Sequence, residues 1–117
     1  MDAVTCRRCG GELTAEASKR LRLGRGCADR ALAEALGRWH PWQVVKAREA
    51  VDLGAVVPLA RFGAYGVVSS DGGQIYVADA ERFTCTCRAA DCHLGCYHVP
   101  AALLVHLGPA RVLARAA

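Results

Sequence analysis

The chain has 117 residues, a formal charge of +4 and seven cysteines. A chain of this length fills one compact domain or two very small ones, and cores that small seldom hold without disulfides, metals or a partner. No apolar run approaches the roughly 18 residues of a membrane span, since Val99 to Leu107 is interrupted by Pro100 and His106, so a soluble protein with no membrane partner is expected. Residues 1–30 lack the apolar core of a signal peptide and carry Arg7, Arg8, Lys19, Arg20 and Arg22 where it would lie. The expected location is therefore the cytoplasm, where thiols pair around metals rather than with each other.

The first module opens with Cys6-Arg-Arg-Cys9-Gly10-Gly11, two thiols three apart followed by glycines that let the chain turn back on a metal ion. Cys27 adds a third ligand. A fourth is open between Cys92, His93, Asp29 and water, whereas His40 lies some 13 residues past Cys27, roughly 20 Å along a helix, and is rejected. Between these cysteines, Lys19, Arg20, Arg22 and Arg25 crowd a Gly-punctuated loop that, with Arg7, Arg8 and Arg30, offers a face for phosphates. Residues 1–50 carry all of the excess positive charge.

From Asp29, the apolar spacing of Leu32, Ala35, Leu36 and Trp39 predicts a helix over 28–38, ended by His40-Pro41. Trp42, Val45 and Leu53 repeat helical spacing up to Gly54, and the two tryptophans are expected to pack in the core. The character then changes. Residues 55–60, 63–69 and 74–78 read as strands, the last two joined through Ser70-Asp-Gly-Gly73 into a hairpin. A final helix is punctuated by Pro100 in its first turn and by Gly108-Pro109, with Val99, Leu103 and Leu107 as its stripe and His106 on a partly exposed flank. The fold class expected is α+β, with modules over 1–54 and 55–117.

Between hairpin and helix lies the stronger metal signature. In an extended strand residues i and i+2 point the same way, so Cys85 and Cys87 aim two thiolates at one point. Cys96 and His98 straddle the entrance to the last helix, where irregular backbone lets such a pair converge. Three sulfurs and one imidazole nitrogen suit tetrahedral zinc. Cys92 and His93 fall inside the intervening loop, and Cys92 is the alternative to Cys96.

The order Cys85-Thr-Cys87, eight residues, Cys96-Tyr-His98, with a hairpin before and an apolar helix after, resembles the SWIM-type zinc finger over about residues 62–107. That resemblance supports Cys96 over Cys92 and implies binding of DNA or other proteins without catalysis. The segment over about 6–30, with Cys6, Cys9, Leu13, Ser18, Gly24, Gly26 and Cys27, resembles a three-cysteine zinc ribbon of actinobacterial and phage proteins of unknown function. The Ala/Arg/Gly-rich composition fits such a bacterial or phage source.

Two zinc ions, each held by three thiolates, would lower the chain from +4 to +2. An enzyme is not expected: Cys6-x-x-Cys9 lacks the strand and helix of a redox βαβ unit, and no Glu sits beside a ligand histidine as a general base. The expected function is a zinc-binding accessory or regulatory protein that contacts DNA or RNA through Lys19, Arg20, Arg22 and Arg25. The alternative is a zinc-stabilised adaptor or inhibitor whose partner is a protein. No aromatic interleaves the basic run, so stacking on single-stranded bases is not visible there.

Overall fold

The computed structural model describes residues 3–69, 71–87 and 96–108. Cys92 and His93 lie outside the described residues. The chain begins with a tight turn in which Thr5 and Glu12 bridge antiparallel. The Cys6 amide donates to the Gly11 carbonyl at 2.8 Å and the Gly10 amide to that of Cys6 at 2.9 Å. Gly10 adopts φ 80°, a left-handed conformation that costs a residue with a Cβ and that lets the turn close.

Helix α1 (Glu16–Leu21) follows where the sequence predicts a loop. It is too short to show a repeating stripe, and Leu21 is the one residue it buries. Arg22, at φ 60°, turns the chain out of it. Helix α2 (Arg25–Leu36) starts three residues before the expected boundary, with Gly24 as its N-cap. Asp29 therefore stands inside the helix, paired with Arg25 one turn back, and Cys27 lies in the first turn instead of ahead of it.

Helix α3 (Pro41–Asp52) has Pro41 at its first position, where the missing N–H is not needed. The His40 amide donates to Gln43 Oε1 at 2.8 Å and secures the entry. Its buried face is the reverse of the one its large apolar residues predict. Gln43, Ala47 and Ala50 face inward, whereas Trp42 and Val45, and Leu53 just past the end, are 62, 56 and 83% exposed. The physical reason is close approach: small side chains let α3 lie against the last helix, which a row of Trp, Val and Leu would hold off. Trp39 is half-buried, edge-on to Phe83 at 5.8 Å, so the core role expected for both tryptophans holds in part for one.

The three expected strands and a short fourth form one antiparallel sheet in the order β1 (Val56–Pro58), β2 (Ala64–Val68), β3 (Ile75–Asp79), β4 (Thr84–Cys85). In the register Tyr65 opposes Ala78 and Val67 opposes Tyr76, which puts these four on the face that covers the helices. Val57, Gly66, Val68, Ile75 and Val77 take the other face by alternation. Helix α4 (His98–Leu107) is the centre of the molecule. All ten of its residues are buried, and it packs on α2, α3 and every strand. Apart from His98 and His106 its residues are apolar on every side, so it has no solvent face to give and must be enclosed by the rest of the chain. The buried cluster accordingly runs from Cys6 to Leu107. The molecule is α+β, with four helices and a four-stranded antiparallel sheet among the described residues.

Candidate metal centres

Cys85, Cys87, Cys96 and His98 converge, with one ligand atom from each lying within 4.8 Å of all the others. The convergence is built locally. Phe83 turns the chain at φ 59°, a conformation rare for a bulky residue, and is held there by the Trp39 ring and by the Arg38 guanidinium 4.8 Å from its centroid. Cys85 then pairs with Ala78 in the sheet. The next residue, Thr86, is clamped to β3 twice: its amide donates to the Val77 carbonyl at 3.1 Å, and its hydroxyl accepts the Val77 amide at 3.0 Å. Fixing Thr86 fixes the cysteines on either side.

From the other direction, Cys96 and His98 enter at the start of α4, and the His98 ring is packed by Tyr97 at 4.3 Å and Tyr76 at 4.9 Å. Cys85 Sγ lies 3.6 Å from His98 Nδ1. Tetrahedral zinc with bonds of about 2.3 Å to sulfur and about 2.05 Å to nitrogen would separate those two atoms by about 3.6 Å, which fits the donor set. Electrostatics agree with a cation site. The Cys85 thiol, then His98 and nearby backbone N–H groups, hold Cys96 well below the ordinary thiol range. The same contact with Cys96, together with burial, pushes Cys85 far up. Crowded thiols that cannot all ionise alone are the donors a divalent cation relieves.

The second group is Cys6, Cys9 and Cys27, again within 4.8 Å of one another. Cys6 and Cys27 are buried and Cys9 is exposed. The Gly24 backbone amide first, then that of Cys9, draws the Cys6 pKa down to about 6, whereas contact with the Cys6 and Cys9 thiols raises Cys27 to about 11. Placement in the first turn of α2 puts Cys27 at the positive end of the helix dipole, which favours a thiolate once a cation is present. Of the fourth ligands weighed, Asp29 is engaged with Arg25 and is not part of the group. Both clusters are compatible with zinc, and two such groups fit two ions.

The basic residues are placed less simply. Lys19 and Arg20 lie on α1, Arg22 at the corner after it and Arg25 at the start of α2, so they do not form the loop the sequence predicts. Lys19 pairs with Glu16 at 3.6 Å and Arg25 with Asp29. Arg8 makes a two-pronged pair with Glu34, which holds that carboxyl below its usual range and ties the knuckle to α2. The turn also brings Arg7 to Arg22, whose carbonyl accepts the Arg7 amide at 2.8 Å.

Sequence reasoning missed a polar cluster around His106. That residue is 2% exposed, not on a flank: Nδ1 lies 2.9 Å from the Tyr65 hydroxyl and Nε2 lies 3.2 Å from Glu81 Oε2. The partners are 41 and 25 residues away along the chain, and no local pattern marks them. No helix among the described residues is long and apolar enough to cross a membrane. Comparison with known proteins adds no family to this geometry, because no family model, no curated protein and no solved structure matches the chain.

Proposed function

We propose that the chain is a zinc-stabilised, non-catalytic binding protein of bacterial or phage type that contacts nucleic acid as an accessory or regulator. Two zinc ions set its shape, and residues 62–107 are read as a SWIM-type finger. The observation that carries the nucleic-acid reading is the backbone bond from the Arg7 amide to the Arg22 carbonyl, which brings the knuckle that bears Arg7 and Arg8 beside the corner after α1. Arg20, Arg22 and Arg30 have no acidic partner among the described residues, so their charge is open to phosphates. Lys19 and Arg25 contribute less, each being neutralised by a neighbour on its own helix, and Arg7 likewise reaches Glu81 at 3.8 Å. The test is a salt titration of binding to random duplex and single-stranded DNA. Phosphate contacts give a steep negative log–log slope, and Arg22→Gln with Arg30→Gln should flatten it by roughly 0.9 unit per lost contact on duplex. Binding that ignores salt and both substitutions would refute the reading.

A protein adaptor is the second reading, favoured by one apolar patch. A Cβ placed on Gly66 would meet Ile75 Cγ2 at 3.3 Å and Leu59 Cδ2 at 3.6 Å, so these two side chains close over the glycine on the outer sheet face. Val57, Leu59 and Ile75 are 51, 42 and 69% exposed there. Contiguous apolar surface of this kind marks interaction sites more often than scattered single residues do.

A further inference from the structure

Away from both cysteine clusters, α1, the β1–β2 connection and the end of α4 enclose a cavity of about 210 Å³. Its walls include Arg20, Leu59, Arg61, Phe62, Tyr65 and His106. The floor is already satisfied, since Tyr65 and His106 bond each other and His106 reaches Glu81. The rim is different. Arg20 and Arg61 come from separate elements, and no carboxylate lines the cavity among the described residues. Asp79 holds Arg61 from behind at 3.2 Å and is itself fixed by accepting the Glu81 and Arg82 amides at 2.8 and 2.9 Å. A guanidinium has five N–H donors, so a pair with one carboxylate does not use them all. Phe62, 42% exposed, packs edge-on to His106 at 4.9 Å and carries the Arg20 guanidinium 5.6 Å from its centroid.

We infer that this cavity binds a nucleoside phosphate, with the phosphate between Arg20 and Arg61 and the base against the Phe62 and Arg20 platform. The ligand is either a free mononucleotide or one unit of a strand. The inference rests on the nucleic-acid reading for its biological setting but not for its chemistry. Two guanidiniums from different directions suit a tetrahedral phosphate better than a flat carboxylate, which one arginine engages alone. Aromatic rings and guanidinium planes both accept the face of a base. The volume falls below the roughly 300 Å³ at which drug-sized pockets begin, so it suits a single nucleotide with a one-ring base and not a longer ligand.

The test uses the zinc-loaded full chain, labelled with ¹⁵N and titrated with thymidine 5′-monophosphate, thymidine and inorganic phosphate. The nucleotide should shift the amides of residues 17–21 and 59–65 in a saturable way, and thymidine or phosphate alone should bind roughly tenfold more weakly or worse. Arg20→Gln and Arg61→Gln should each weaken the nucleotide by about tenfold. Phe62→Ala should bring its affinity down to that of inorganic phosphate. Arg20 and Phe62 are surface residues, so the unliganded spectra of their variants report an intact fold even if Arg61→Gln perturbs Asp79. Shifts elsewhere, equal binding of bare phosphate, indifference to Arg20→Gln and Phe62→Ala, or stronger binding of a peptide C-terminus at the same amides would overturn the inference. A thymidine oligonucleotide separates the sources: shifts at these amides point to a strand, and shifts with the mononucleotide alone point to a free ligand. Strand binding that leaves these amides unmoved, with the mononucleotide also silent, sinks the cavity and spares the nucleic-acid reading. Nucleotide binding without any strand binding does the reverse.

Discussion

Cys87 is buried and belongs to the four-residue group that forms without Cys92, which lies outside the described residues. Cys87→Ser should therefore lose the second metal ion and most of the folded signal, whereas Cys92→Ser should melt close to the parent; equal losses would return Cys92 to the ligand set. The gap should be large, because metal binding in small domains is worth on the order of 10 kcal/mol and is folding free energy. A smaller effect is expected at Tyr65. Removing its hydroxyl leaves His106 Nδ1 without that partner in a buried site, so Tyr65→Phe should cost about 1–3 kcal/mol by chemical denaturation. No change would mean that the hydroxyl does not hold the histidine. These two sites show what the sequence makes legible. Cysteine spacing of i and i+2 is a local pattern that survives folding, whereas the Tyr65, Glu81 and His106 contacts are made by tertiary packing alone.

Helix α3 illustrates the opposite failure. Periodicity located it to within a residue at each end, because Pro41 and Gly54 punctuate it, yet the large apolar residues point to the wrong face. Position and orientation are separate questions: the first is decided by caps, the second by what the helix must approach. Ala47 and Ala50 face α4 because that helix is buried on every side and needs neighbours at short range. Leu103 is wholly buried at the centre of α4, and Leu103→Ala should destabilise the chain by about 2–5 kcal/mol. Trp42→Ala, at an exposed position, should fall within about 0.5 kcal/mol of the parent. Comparable losses at both positions would put the stripe of α3 back in the core. Helix α1 escaped notice because six residues give no periodicity, and α2 began early because Gly24 can cap a helix without a side chain.

Across the molecule, α4 touches α2 and α3 from the first half and all four strands from the second. The two cysteine groups lie at opposite ends of the sequence, and each fixes an element that contacts this helix: Cys27 sits in α2, Cys85 in β4 and His98 in α4 itself. Heating should therefore produce one transition, with tyrosine, tryptophan and backbone signals coincident, although the sequence divides into modules at residue 54. Two separated transitions would restore independent halves. The central claim is that this fold is held by two metal ions, and metal analysis of the purified chain, with thiol titration before and after chelation, tests it most directly. The account predicts two zinc ions per chain, with Cys6, Cys9, Cys27, Cys85, Cys87 and Cys96 protected until a chelator releases the metal and unfolds the protein. One ion or none, or a chain that keeps its fold when stripped of metal, would contradict it.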